Sequence, residues 1–255
     1  MADFVHKIKE ELTLENVLSI ALKTPGVKIN RAVFLRKELL KHCREDVIEA
    51  AIKNNPAQAG ISKDIINKVS LSVINYESSK VTALSVAASL PSSSVPAVAV
   101  GAATADITSY FVFILRIVQE LAYLYGFEQF DLKEDSIDSE TLNYMLLFVG
   151  TMFGVQGAST ALNKLANNFA EHLAKNLARQ ALMQGPIYPI VKKIAHQVGI
   201  RMTKQIFADA VASAVPVAGS ILSGGLTLAA FRPRCMKLRA DLMNCNLCDP
   251  EYYKA

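Results

Sequence analysis

Asp106 is the ionisable residue that the sequence places in the least polar surroundings. It lies in the run AVAVGAATADITSYFVFILRIVQELAYLYGF, where the only other charged side chains are Arg116 and Glu120. A charge in apolar surroundings is costly unless it is paired, and such residues often mark a site. We therefore take Asp106 as the candidate catalytic residue, and Asp106 with Arg116 as candidate binding residues. Two alternatives stay open: Asp106 bonds a nearby hydroxyl or faces solvent, and Arg116 pairs with Glu120 one helical turn later.

The segment GSILSGG provides a second group of candidate binding residues: Gly219, Ser223, Gly224 and Gly225. This segment has neither the lysine nor the preceding strand of a phosphate-binding loop. A nucleophilic serine here would need a base, and the surrounding residues do not supply one. The alternative interpretation is a turn or a helix-packing element.

The tail contains a C-x-x-C pair, Cys245 and Cys248, which is a weak candidate metal site. A structural zinc site needs four ligands, whereas only Cys235 lies nearby and the nearest histidine, His196, is remote. We therefore predict no metal and no cofactor.

Four cysteines do not form a disulfide framework, and the N-terminus has no apolar core of a signal peptide, so a cytoplasmic location is expected.

The composition is 51% apolar and 20% charged, which excludes a disordered chain. Three windows have no charged side chain: 81–105, 141–163 and 210–231. Each reaches the roughly 20 residues that a helix needs to cross a bilayer. Prolines and glycines in the first and third windows predict helical hairpins, with one turn between Pro91 and Pro96. The middle window is the best single transmembrane candidate.

Hydrophobic spacing predicts helices throughout, and no strand alternation of useful length occurs. Thr13, Asn30 and Ser62 are predicted helix caps, and EDVIEAAIKN is a further short helix. The fold class is therefore an all-α multi-helix bundle with Ala/Gly-rich helical hairpins. We divide it into an amphipathic N-terminal region, 1–80, and an apolar hairpin core, 81–255.

Small residues recur every fourth position, which lets another helix backbone approach closely. They are Ala97, Gly101, Ala105 and Ser109, and then Gly150 and Gly154. These faces predict close helix packing, either within the chain or in a homo-oligomer.

The net charge of the chain is +4, and the excess of basic residues lies in the last third. This pattern is typical of a protein that binds an anionic lipid surface, and equally of an ordinary solvated face. Nucleic acid is not a predicted partner, because the basic residues are dispersed and lack interleaved aromatics.

Three parts of the chain resemble the EcsC family. They are TPGVKINRAVFLRKEL with NPAQAGIS, ADITSYFVFILRIVQELAYLYGF, and RMTKQIFADAVASAVPVAGSILSGGLTLAAFRPRCMKLRADL. The family's Gly-rich first turn is replaced here by a segment between Pro91 and Pro96. The resemblance implies a bacterial, helical, membrane-associated protein, accessory to a membrane transport or secretion system. It implies no catalytic residue.

The leading hypothesis is a non-enzymatic protein at the inner face of the membrane, bound peripherally or partly inserted, with lipid or a membrane protein as its partner. Its hairpins, about 81–126 and 207–240, would pack together or enter the bilayer. One alternative is a membrane-inserting effector that permeabilises the bilayer. Another is a hydrolase or lipid-modifying enzyme that uses Asp106.

Overall fold

The computed structural model describes residues 14–88, 98–132, 139–175, 189–200 and 225–254. Within these ranges it describes only the backbone of residues 15, 16, 82–88, 98–109, 139 and 225–230. Nine helices contain most of the described residues, and none of these residues forms a β-strand. The predicted all-α helical bundle is therefore confirmed for this part of the chain.

Four helices at the N-terminal side lie where the sequence predicts them: α1 Leu14–Lys23, α2 Arg31–Leu39, α3 Glu45–Lys53 and α4 Lys63–Ala88. Two of the predicted caps are confirmed. Asn30 Oδ1 accepts a hydrogen bond from Val33 N at 3.0 Å, and Ser62 Oγ accepts one from Ile65 N at 3.4 Å. Thr13, the third predicted cap, lies outside the described residues. These side chains satisfy backbone N–H groups that the first helical turn leaves without partners.

Helix α5, Val98–Leu124, is the long apolar helix predicted around Arg116. It packs against α1 and α4, and the turn predicted between Pro91 and Pro96 falls outside the described residues. Helix α4 continues without a break across residue 80, where we placed the boundary between the two regions. Buried residues from both regions belong to one hydrophobic core.

The uncharged window 141–163 is divided between two helices, α6 Ser139–Met152 and α7 Ala158–Ala174. Gly154 and Gly157 separate them with φ angles of +69° and +84°, a conformation that glycine adopts without steric cost. The window that we predicted as the best single span is therefore two short, mutually packed helices. Among the described residues, no helix combines the length and the apolar character that crossing a membrane requires.

Helix α8 covers residues 189–200, and helix α9, Gly225–Met243, packs against α4 and α6. The predicted close packing of small residues is confirmed at Gly150, where an added Cβ would overlap the Val198 side chain on α8. It is wrong for Gly154, which lies in the turn after α6 and not on a helix face. The predicted small-residue face at 97–109 lies outside the described side chains.

Arg31 is a buried cation that joins three parts of the fold. Its Nη1 donates to Ile52 O at 2.7 Å, and its Nη2 donates to Ala51 O at 3.1 Å and Asn54 O at 3.0 Å. Its Nε donates to Phe127 O at 3.0 Å, just after α5. The guanidinium thus satisfies carbonyls that the end of α3 leaves without helical partners.

The C-terminal residues close over the end of α5. Two short 3-10 turns follow α9, Asn246–Cys248 and Pro250–Tyr253. Asn55, fully buried after α3, donates from Nδ2 to the Tyr253 hydroxyl at 3.1 Å. Gly126 has a φ of +104°, and a Cβ there would lie 2.9 Å from Leu247 O. The left-handed backbone and the close approach both require glycine at this position.

We expect Gly126→Ala to lower the free energy of unfolding by about 3 kcal/mol, because it combines a strained φ with overpacking. Chemical denaturation measures the loss. Gly60→Ala is the matched control, since Gly60 has a φ of +77° but nothing within 4 Å of an added Cβ. The control should lose only about 1 kcal/mol from strain. Equal losses for both variants would contradict the packing argument.

Candidate functional site

A polar cavity of about 580 Å³ opens among α2, α4 and α5. Both α2 and α4 pack on α5, which supplies Arg116 and Glu120 to the cavity. The remaining lining residues come from α2 with the turn after it, and from α4. They are Phe34, Lys37, Glu38, Lys41, His42, Val69, Ser72, Val73, Tyr76, Glu77 and Lys80. Cationic, acidic and apolar groups therefore line the same cavity.

Helical spacing brings the charged side chains of α4 and α5 to this cavity. On α4, Val69, Val73 and Glu77 are four residues apart and share one face, which the structure buries. On α5, Arg116 and Glu120 are likewise separated by four residues. The glutamates of both helices therefore occupy positions that would otherwise hold core residues.

Arg116 lies between the two buried carboxyl groups. Its Nη2 is 3.6 Å from Glu77 Oε1 and 3.5 Å from Glu120 Oε1. The pairing of Arg116 with Glu120 that the sequence predicted is thus confirmed. Lys80 adds a second cation, with its Nζ 2.7 Å from Glu77 Oε1. Arg116 also donates from Nη1 to the carbonyl of Gly26 in the turn after α1.

The second oxygen of each carboxyl group has no partner among the described residues. Glu77 Oε2 and Glu120 Oε2 are both buried from solvent and accept or donate no hydrogen bond there. The side chains of Glu77 and Glu120 are only 1% and 7% exposed. A buried polar atom without a partner costs free energy, so two such atoms beside one cavity indicate a place where a ligand group or water can bind.

The pKa of Glu120 is raised to about 8: burial raises it most, the nearby Glu77 carboxyl group acts in the same direction, and Arg116 and Lys80 lower it. Desolvation disfavours the charged form of a carboxyl group, and a second negative charge acts in the same direction. Glu120 is therefore mostly protonated at neutral pH. A buried carboxyl that holds its proton can donate a hydrogen bond as well as accept one.

The outer part of the cavity combines exposed apolar groups with lysines. Tyr76 is 55% exposed, and Lys80 Nζ lies 4.2 Å from the centre of its ring. Lys37 Nζ lies 5.6 Å from the same ring and 2.8 Å from Glu38 Oε1. The hydrogen bond to Glu38 raises the pKa of Lys37. Lys37 therefore remains cationic beside an exposed aromatic ring.

Of the candidate residues predicted from the sequence, the structure places Arg116 in this cavity. Asp106 lies on α5 ten residues earlier, but its side chain is outside the described ones. Gly219, Ser223 and Gly224 also lie outside the described residues, while Gly225 is the first residue of α9. The proposed roles of these residues stay predictions.

The thiols of Cys245 and Cys248 are buried and free. Cys245 Sγ lies 3.0 Å from Asn163 Oδ1, and Cys248 Sγ bonds backbone carbonyls, including Cys245 O at 3.3 Å. Burial raises the pKa of Cys245 to about 12 and that of Cys248 to about 11. A metal ligand must be a thiolate, which these surroundings disfavour. In the described part of the chain, no three His, Cys, Asp or Glu side chains converge as metal ligands would.

Our sequence reasoning missed Glu77, and a signal for it existed. Glu77 continues the series Val69, Val73 and Val81 at steps of four and is fully buried. A carboxylate at a core position of an amphipathic helix is the unusual observation, because charged residues are almost never buried unpaired. The lysines could not be found in the same way, since isolated exposed lysines are common on helices.

The comparisons with known proteins add no relative. No protein-family model, no curated protein and no solved structure matches the chain. The resemblance to the EcsC family therefore stays a prediction.

Proposed function

We propose that this protein is a non-enzymatic helical protein that associates peripherally with an anionic membrane surface. The contact surface, here called the α2 patch, comprises six residues: Val33, Lys37, Leu40, Lys41, Tyr76 and Lys80. The observation that carries the proposal is the alternation of exposed apolar and cationic side chains on this patch. It agrees with the membrane-lipid partner that the sequence predicts.

The apolar members of the patch are unusually exposed for their size. Val33 is 66% exposed and Leu40 is 60% exposed, and both lie on the same side of α2 as Lys37. Tyr76 on α4 lies beside Lys37. Single exposed apolar residues are normal, but a group of them bordered by lysines is typical of surfaces that insert into the interfacial region of a bilayer.

The charges of the patch are complementary to anionic lipid. Lys37, Lys41 and Lys80 border the apolar residues, and each lysine close to an anionic surface contributes about 1 kcal/mol of attraction. Arg36, the next cation on α2, contacts Glu45 and Glu49 of α3. That side of α2 is consequently neutralised. On the other side, Lys37 pairs with Glu38 and Lys80 with Glu77, whereas Lys41 forms no ion pair with the described residues.

Flotation with vesicles of neutral and anionic phospholipid tests the proposal. We expect the wild-type protein to float with anionic vesicles at low salt, and the bound fraction to fall as salt screens the lysines. The double variant Leu40→Ser/Tyr76→Ser should weaken the apparent affinity about tenfold or more, because two apolar anchors are lost. Both residues are exposed, so the fold should be unaffected.

The double variant Ile20→Ser/Ile190→Ser is the matched control, since these residues are 49% and 41% exposed and lie on other helices. It should stay within about twofold of wild type. The proposal fails if the wild-type protein does not float with anionic vesicles, or if the control loses as much affinity as the patch variant. Release of an entrapped dye would favour the permeabilising alternative.

A further inference from the structure

We propose that the cavity behind the α2 patch binds a phosphorylated polyol, with adjacent hydroxyl groups at Glu77 and Glu120 and the phosphate at the lysines of the rim. This inference deepens the proposed function, because the phosphoglycerol headgroup of a membrane lipid has this chemistry. It depends on the proposed function only for the lipid source of the ligand. A soluble sugar or glycerol phosphate would have the same chemistry.

The inner end of the cavity selects hydroxyl groups. Glu77 Oε2 and Glu120 Oε2 are buried and lack partners among the described residues, while the Oε1 atoms of both groups meet at Arg116 Nη2. Both carboxyl groups contact Arg116 Nη2. Two hydroxyl groups on neighbouring carbon atoms of one ligand can therefore form hydrogen bonds with Glu77 Oε2 and Glu120 Oε2 at the same time. Carboxylates and hydroxyls form short, strong hydrogen bonds in such surroundings.

An ammonium group is less suitable than a hydroxyl at this end. A hydroxyl can donate to one carboxyl group and accept from a protonated Glu120, whereas an ammonium only donates. Arg116 and Lys80 already supply positive charge here, and a further cation would face both of them. An anionic group at the inner end would meet Glu77.

The outer end selects the anion. Lys37 of α2, Lys41 in the turn after α2 and Lys80 of α4 line the cavity together with the His42 imidazole. Lys37 also pairs with Glu38 and Lys80 with Glu77, so a phosphate competes with these carboxyl groups at two of the three lysines. Lysine ammonium groups bind phosphate as point charges without a fixed geometry. Phe34, Val69 and Val73 supply apolar wall to the same cavity, and this wall can contact the carbon chain of a polyol.

Isothermal titration calorimetry with glycerol 1-phosphate tests the ligand class on the full chain. We expect it to bind at least tenfold more tightly than propyl phosphate, which lacks hydroxyls, and than glycerol 2-phosphate, whose hydroxyls are not on adjacent carbons. Glu120→Met should remove this preference, because it deletes one of the two free oxygens while keeping a similar volume. Glu49→Met, at an exposed position of α3, is the matched control and should keep it.

A Glu120→Met protein that unfolds would not decide the question, so Glu77→Gln provides the second variant and circular dichroism checks both. Loss of the preference in either folded variant supports the proposal. Equal affinity of the wild-type protein for all three phosphates overturns it. Retention of the preference in both folded variants also overturns it.

Vesicles distinguish this inference from the proposed function. At equal mole fractions of anionic lipid, we expect the protein to prefer phosphatidylglycerol over phosphatidylserine about fivefold, and Glu120→Met to equalise the two. Equal flotation of the wild-type protein with both lipids, together with equal affinity for the three phosphates, would overturn the headgroup site and leave the membrane proposal standing. Binding of glycerol 1-phosphate without flotation would support the ligand class and contradict the membrane proposal.

Discussion

Arg31→Met should lower the free energy of unfolding by about 4 kcal/mol, the largest loss that we expect from a single substitution in this protein. Arg31 is 7% exposed and donates to four carbonyl oxygens, three of them at the end of α3. Methionine fills much of the same volume but donates nothing, so these carbonyls lose their partners. Urea denaturation followed by circular dichroism measures the change.

A second variant separates hydrogen bonding from charge at this position, and a third is a control at the surface. Arg31→Lys should recover only part of the lost stability. The guanidinium donates hydrogen bonds to four carbonyls from three nitrogens, whereas the single ammonium of lysine cannot reach all four. Arg44→Met is the surface control: the Arg44 side chain is 83% exposed and pairs with Asp46, so its loss should stay within about 0.5 kcal/mol. A loss below about 1 kcal/mol for Arg31→Met would show that water replaces the bonds.

Glu120 should make the protein less stable as the pH rises from about 4 to about 8. The pKa of Glu120 is about 8 in the folded protein, chiefly because of burial, whereas an unfolded glutamate titrates near its ordinary value of about 4.3. Glu120 therefore contributes its full stabilisation at a pH below its pKa in the unfolded chain. This contribution is lost as the pH rises through its pKa in the folded protein. The expected loss is on the order of 5 kcal/mol, measured as the free energy of unfolding across this range.

Glu120→Gln should flatten this pH dependence, because an amide does not titrate. The charged groups that face Glu120 are Glu77 and Lys80 on α4, Arg116 on α5 and Glu38 after Lys37 on α2, and they remain in the variant. Glu49→Gln, at an exposed position of α3, should reproduce the wild-type curve. If wild type and Glu120→Gln lose stability in parallel, Glu120 is ionised in the folded protein at neutral pH.

Local signals in the sequence were sufficient for the helices and for one residue of the site. Asn30 and Ser62 cap helices as predicted, because a capping side chain acts on its own first turn. Arg116 contacts Glu120 as predicted, because residues four apart on a helix are neighbours. Such interactions are contained in about one turn of chain, and the sequence shows them directly.

The cavity could not be predicted, because it depends on contacts between distant segments. Glu77 and Arg116 meet only when α4 packs on α5, and Lys37 reaches Tyr76 only when α2 lies on the same helix pair. The middle apolar window failed for a different reason. Hydropathy averaged over 141–163 contains no information on backbone angles, whereas Gly154 and Gly157 turn the chain there.

The hydrogen bond between Asn55 and Tyr253 has a consequence for biosynthesis. The two residues are 198 positions apart, and ribosomes add about 5–20 residues per second. Asn55 is therefore synthesised about 10–40 s before its partner. The groove between α3 and the end of α5 is complete once Gly126 has been made, and it then has no cover until the C-terminal turns follow. For roughly the second half of its synthesis, the nascent chain therefore exposes this part of the core.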